Sequence, residues 1–260
     1  MIALSEFWLM HGFADTPTIV HNLRAKPYFS PVLKHFEQYG LEKTFAWILD
    51  NQNSVIQKVQ TQLKEEVLSG AEYQKHQTDF WVQRWFKTNP MIFNGILSVY
   101  FLNLVKLAQG EGIYQPNGLL HAYLEGQNIE LMANSDNVLR AGLTPKHMDI
   151  AELLAVGEFE STEPNAYKIA EKPFAEGLKI YPTPFEEFEL YRFTGNDKDS
   201  ARWPVHAPQI LMCIEGSLSV HLDALSYSLK QGQSLLLLPQ ASVEIQATCN
   251  HSDVFISSNR

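Results

Sequence analysis

Cysteine is scarce. The 260 residues hold only Cys213 and Cys249, with no Cys-x-x-Cys. That argues against a disulfide scaffold or a thiolate zinc cluster and fits a reducing cytoplasm. Long apolar runs are absent too, and without about 20 consecutive apolar residues no membrane-spanning helix is expected. Lys and Arg form no runs, and the formal net charge is −9. Neither nucleic acid nor an anionic membrane is therefore expected as a partner. A small anionic substrate stays compatible, because a few local cations can hold a phosphate inside an acidic protein. The start, MIALSEFWLMHGF, lacks the basic stretch and small-residue cleavage site of a signal peptide. It reads as a strand already inside a domain, so an upstream segment is expected before it.

What is present is an ordinary soluble composition, 45% hydrophobic and 19% charged, which allows a sizeable core. Residues 14–90 read as a helical block. Phe45, Ile48, Leu49, Val55, Ile56, Val59, Leu63 and Val67 recur at spacings of three and four and form one apolar stripe that Gly70 ends. Pro17, Pro27 and Pro31 divide shorter helices before it. AEYQKHQTDFWVQRWF reads as a further helix ending at Asn89-Pro90, with Phe80, Trp81 and Trp85 as packing residues. From Ser98 the texture changes to short strands, beginning with SVYFLNLVKL. Residues 157–173 read as a linker and crossover. From about Phe174 onward, strands alternate with turns every eight to twelve residues or so, as in an antiparallel sandwich or barrel.

Site chemistry concentrates in residues 110–150. Gly110-x5-Pro116-x-Gly118-x2-His121-x3-Glu125 resembles the second motif of the cupins, small jelly-roll barrels that bind a metal inside. In that family the glycines and proline shape a tight turn, and the histidine then points inward. Asparagine is usual where this chain has Glu125. The cupin first motif, His-x-His, is missing from the nine histidines, His11, His21, His35, His76, His121, His147, His206, His221 and His251. A hairpin turning at Gly126-Gln127 would pair Tyr123 with Glu130 and His121 with Met132, placing His121, Tyr123 and Glu130 on one face. Arg140 and Lys146 follow in SDNVLRAGLTPK, where each could either hold an anion or face solvent.

The stretch HAYLEGQNIELMANSDNVLRAGLTPK resembles the second signature of the type I phosphomannose isomerases (mannose-6-phosphate isomerases) along nearly its whole length. The resemblance implies a mainly β fold with an α-helical insertion, built on cupin-like antiparallel β-sandwiches or jelly rolls. Residues 1–13 and 91–157 would belong to the metal-site cupin, 14–90 to the helical insertion and 158–260 to a structural C-terminal cupin. It implies interconversion of mannose 6-phosphate and fructose 6-phosphate through an enediol, assisted by zinc. The family's zinc ligands are Gln, His, Glu and a final His. Of these four only the last has a counterpart here, His121. Arg140 corresponds to the catalytic arginine, Glu130 is the candidate for proton handling, and Tyr123 and Lys146 correspond to site-lining, substrate-binding positions. On this matching the chain begins one residue after the third ligand, and little or no turnover is expected from it alone. The alternative is a non-catalytic remnant, or a sugar- or partner-binding cupin module. In the C-terminal part, His206, His221 and His251 read as too scattered for a metal, and Cys213 and Cys249 as buried small hydrophobes.

Overall fold

The computed structural model describes residues 1–50, 52–89, 94–135, 138–142, 148–222 and 225–259. The chain opens with β1 (Ile2–Ala3) and β2 (Phe7–Phe13), then enters helices α1 (Thr16–Arg24), α2 (Ser30–Leu49), α3 (Ser54–Leu68) and α4 (Thr78–Thr88). The first β region resumes with β3 (Leu102–Leu107), β4 (Gly112–Ile113), β5 (His121–Glu125) and β6 (Asn128–Ile129). Helix α5 (Ile150–Val156) and β7 (Lys168–Ile169) complete it.

The remaining strands are β8 (Lys172–Ala175), β9 (Leu178–Tyr181), β10 (Glu189–Gly195), β11 (Ser200–Val205) and β12 (Gln209–Glu215). They continue through β13 (Ser217–Leu222), β14 (Leu225–Lys230), β15 (Ser234–Leu237), β16 (Gln240–Ala247) and β17 (Ser252–Ser258). All strand pairings between these elements are antiparallel. A six-stranded sheet, β15-β12-β17-β10-β9-β8, faces a four-stranded one, β11-β16-β13-β14. Leu211, Val220, Val243, Ile245, Val254 and Ile256 fill the space between them.

The first β region is smaller, with sheets β3-β2-β5 and β6-β1-β4-β7. Its strands enclose Ala3, Phe7, Leu9, Val105, Leu107 and Ile113. The helical block packs through a separate core, in which Phe29, Phe45, Ile48, Ile56, Leu63 and Val82 join Phe13 and Phe101 at the roots of β2 and β3. Lys26, with a side chain only 6% exposed, ties this block together. Its ammonium donates to Glu66 at 2.5 Å and to Asp79 at 2.9 Å, while the Tyr100 hydroxyl donates to Asp79 at 2.5 Å.

Several sequence expectations need correction. The apolar stripe from Phe45 to Val67 spans two helices, because the chain breaks between Leu49 and Ser54, where the Asn53 side chain caps the Val55 and Ile56 amides. Val55 is consequently exposed. The helix expected from Ala71 begins only at Thr78. Before it, the backbone is held by side chains instead, with Gln77 accepting from the Gln74 amide and the Trp81 indole donating to the Lys75 carbonyl. Ser98–Tyr100 is 3-10 helix rather than strand, closed by the Ser98 hydroxyl on the Gly95 carbonyl at 2.6 Å. Helix α5, capped by Asp149 accepting from the Glu152 amide, was not anticipated.

The hairpin at Gly126-Gln127 does not form. Strand β5 pairs with β2, and β6 pairs with β1 in the other sheet. Gly126 makes this possible. Its φ is +130°, and a Cβ there would lie 2.4 Å from the Phe7 ring and 2.8 Å from the Glu6 carbonyl oxygen, so the chain passes tightly over the bend between β1 and β2.

Candidate active site

Strand β5 carries the imidazole and the phenol. Gly110 at φ +85° and Gly118 at φ +79° shape the turn ahead of it. At the start of the strand, His121 Nδ1 lies 2.9 Å from the Leu119 carbonyl oxygen. A carbonyl can only accept, so Nδ1 carries a proton, and in the neutral ring Nε2 is the nitrogen with the lone pair. That nitrogen has no protein partner among the described residues, and the ring is exposed.

Two residues on, the Tyr123 hydroxyl donates to Glu130 Oε1 at 2.8 Å and lies 3.2 Å from the side-chain carbonyl of Gln115. One hydroxyl proton serves one acceptor, and the charged, nearer carboxylate takes it. Burial, reinforced by the Glu130 carboxylate, pushes the Tyr123 phenol above its ordinary value. The phenol is therefore a fixed donor at neutral pH. His121, Tyr123 and Glu130 do not share the face of one hairpin, because β5 and β6 pair with different strands. His121 and Tyr123 share a face of β5, ring centroids 6.0 Å apart, and the Tyr123 side chain bridges the gap to Glu130 on the neighbouring sheet.

A fourth polar group lies on the same face. His11 on β2 is the register partner of His121, so the two side chains project to one side. Their rings are 6.5 Å apart, and Tyr167 stands 5.4 Å from His11 on its edge. His11 is 1% exposed, and its Nε2 is buried without a hydrogen-bond partner. Burial, with a smaller push from His121, lowers its pKa to about 4, the Tyr114 backbone partly opposing the shift. Sequence reasoning passed over His11. The signal that finds it is parity along β2 once the β2–β5 register is known, since spacing within either strand does not reveal it.

Glu125, which stands where cupins usually have asparagine, does not face this group. Lys75 and Arg84 of the helical block hold it in ion pairs and keep its carboxyl below the usual range. Arg140 is half-buried and makes no hydrogen bond or ion pair among the described residues. Its neighbour Ala141 packs on the helical core, and Gly142 lies against Gly95. Lys146 lies outside the described residues. The groove lined by Pro27, Pro31, Val55 and Val59 belongs to the helical block and holds none of these groups. In the C-terminal sandwich, Cys213 is fully buried, but Cys249 is not a buried hydrophobe. Its sulfur lies 3.4 Å from the Ser252 hydroxyl and 3.3 Å from the Ser217 amide, contacts that lower its pKa to about 7.

A zinc site needs three or four protein ligands in tetrahedral order. Among the described residues, no three of His, Cys, Asp or Glu are grouped to hold a metal. The described residues do not complete a zinc site by themselves.

No family model matches the chain. It is 32% identical over 247 residues to mannose-6-phosphate isomerase of Escherichia coli K12, a match covering 93% of this chain and 61% of that protein. The enzyme of Salmonella typhimurium LT2 matches at 32% over 244 residues, 91% of this chain and 60% of that one. The crystal structure of the Salmonella typhimurium enzyme bound to fructose 6-phosphate and zinc superposes with a TM-score of 0.85 at 28% identity, covering all of this chain and 65% of that one. The chain is similar to the mannose-6-phosphate isomerases over nearly all of its own length. It spans about three-fifths of the length of the curated isomerases it matches. The structure of a mannose-6-phosphate isomerase with zinc and yttrium superposes as well, with a TM-score of 0.85. The isomerase likeness therefore takes in the helical block as well as both β regions. No helix among the described residues is long and apolar enough to cross a membrane.

Proposed function

We propose that this chain forms part of an isomerase that interconverts mannose 6-phosphate and fructose 6-phosphate by moving a proton between C1 and C2 through an enediol. The observation that carries the reading is the cluster of His121, Tyr123 and Glu130 inside a segment matching the isomerase signature. In this reading Glu130 handles the proton. The Tyr123 hydroxyl holds one of its oxygens, orienting the carboxylate with the other left for the sugar. Arg140 stabilises negative charge on the enediolate, and Tyr123 and Lys146 bind substrate. His121 offers Nε2 to zinc, the metal seen with the Salmonella relative, which would polarise the sugar oxygens when bound. Residues 1–13 and 91–157 form the site-bearing cupin around the helical insertion 14–90, and 158–260 form a structural one.

The ligand set is completed outside the described residues, so the chain assayed alone turns over little mannose 6-phosphate. The test assays the purified chain with mannose 6-phosphate and zinc, alone and joined to the parts of the E. coli enzyme that the match leaves uncovered. Turnover is expected in the joined form, with a loss of 100-fold or more in Glu130→Gln. A folded joined form with no turnover overturns the reading. Robust turnover by the chain alone overturns the division of the ligand set.

A further inference from the structure

The two sheets of the C-terminal sandwich differ in what they turn outward. On the four-stranded sheet the outward positions are polar, as with Arg202 on β11, Glu244 on β16, Ser219 on β13 and Ser228 on β14. Antiparallel sheets with one face in water normally show this pattern. On the six-stranded sheet the outward positions are apolar. Tyr181, Leu190 and Phe255 pack there against Ile2, with Ile129 and Ile169 of the first β region beside them. Ile214 on β12 lies at the margin of that contact. The register carries the same face further across the sheet, since Met212 is opposite Phe255 and Ile210 is opposite Leu236. Their alternates Leu211 and Leu237 fill the sandwich core. Yet Ile210, Met212, Leu236 and Leu238 are 40–64% exposed. The first β region thus covers one part of a continuous apolar face and leaves the rest bare.

The bare part ends on β15, the edge strand of the sheet. Edge strands are normally blunted by lysine, proline, inward charge or a bulge. Here the strand reads SLLL, and its pairing with β12 runs without a bulge. We propose that a second copy of this chain covers the face, through antiparallel pairing of the two β15 edges about a twofold axis. That arrangement joins two six-stranded sheets edge to edge. An axis through Leu236 sets this residue against its own copy and Ser234 against Leu238, with Ile210 one strand behind. The face is then self-complementary, as a twofold contact requires. Charge favours this surface over others for self-pairing. The chain carries −9 overall, but neither Ser234–Leu238 nor Ile210–Met212 holds a charged residue, so no like charges are forced together. Two such patches with the paired backbones between them come to about 1,000 Å², the least that a specific interface needs. The pairing uses neither metal nor substrate and stands apart from the isomerase reading.

Sedimentation velocity of the full chain across the micromolar range tests the pairing. A species of twice the 29.6 kDa chain mass is expected, dissociating on dilution. Leu236→Lys sets two ammonium groups against each other at the axis and is expected to weaken association at least tenfold. Leu236 is exposed, so the substitution leaves the sandwich core untouched. Ser228→Lys, on the outward face of the other sheet, is the control and is expected to pair as wild type does. A wild-type monomer throughout the range overturns the proposal. So does a dimer that Leu236→Lys leaves intact or that Ser228→Lys abolishes, since the contact then lies elsewhere. A joined form that is monomeric where the chain alone is dimeric gives the face to the added isomerase parts and overturns it as well. A second measurement uses wild type alone, comparing hydrogen exchange at low and high concentration. Protection that grows with concentration is expected at β15. Growth elsewhere with β15 unchanged overturns the proposal.

Discussion

Inward-facing residues alternate along several strands of the C-terminal sandwich, as with Ala201, Trp203 and Val205 on β11. Its buried polar groups are paired. The Trp203 indole donates to Gln209 at 2.9 Å, Gln209 donates to Ser258 at 3.3 Å, and Arg192 grips both oxygens of Asp253 at 2.8 Å. Among its described residues no buried side-chain nitrogen or oxygen lacks a partner. The first β region has short strands in small sheets, and it leaves His11 Nε2, Gln115 Nε2 and Asn128 Nδ2 buried without partners. Two regions of related chemistry have thus diverged in what their polar groups are for. In one they lock strands together. In the other, three of them have no hydrogen-bond partner among the described residues.

The largest effects should come from breaking the locks. Arg192→Leu strands the buried Asp253 carboxylate, and removing one partner of a buried pair costs about 3–5 kcal/mol. Urea unfolding should show it as a lower midpoint. Lys26→Met should cost less in the helical block, because Glu66 is 41% exposed and Asp79 keeps the Tyr100 hydroxyl. It should also change the acid limb. Burial raises the Glu66 pKa, but Lys26 and Tyr28 more than offset this and hold it below 4.5. Its stabilising contribution is present above the unfolded value near 4.5 and is lost as pH falls through the lower folded value. A Lys26→Met curve that keeps the wild-type acid slope would show that the pair contributes no such linkage.

Gly126→Ala should come next. A side chain at φ +130° costs about 1–3 kcal/mol, and its Cβ would press on the Glu6 carbonyl besides. Hydrogen exchange should then rise at β5 and β6 but not at β12 or β17. Uniform loosening would mean that the two β regions are not energetically distinct. Tyr123→Phe should reduce stability by only about 0.5–1.5 kcal/mol, while cutting turnover of the joined enzyme at least tenfold if the hydroxyl orients Glu130 for the proton transfer. An equal loss in both readouts would assign Tyr123 a packing role. The smallest effect on stability belongs to alkylation. Iodoacetamide at pH 7 should label Cys249, with a rate rising through about pH 7, and leave buried Cys213 intact until unfolding. Early labelling of Cys213 would show that the sandwich opens more readily than its packing implies.

The fold was legible in the sequence wherever periodicity and burial coincide. Strands β12 to β17 follow from alternation and turn residues, and α3 from its apolar face. Strand β11 alternates too, with Ala201, Trp203 and Val205 inward, but Pro204 inside the run argues against a strand from sequence alone. The site was legible as a set of residues but not as a topology. His121, Tyr123 and Glu130 lie within ten residues, which invites a hairpin. The glycine that turns the chain also lets it pass between sheets, and local sequence does not encode that choice. His11 was hidden for a related reason, since a lone histidine in an apolar strand acquires meaning only from the residue opposite it, more than a hundred positions away.

The register of β2 and β3 has a consequence for how the chain folds. Phe13 and Leu102 are direct partners, so the helical block leaves the sheet and rejoins it at one point. Closing an unstructured loop of that length costs about 4 kcal/mol in chain entropy. Helices form in microseconds from local contacts, whereas distant strand pairings wait on closure. The insertion should therefore act as a folding staple, shortening the effective loop before β2 and β3 meet. Pulse-labelled amides of α2 and α3 should become protected before those of β2, and the His11–His121 face should be the last part of the first β region to assemble.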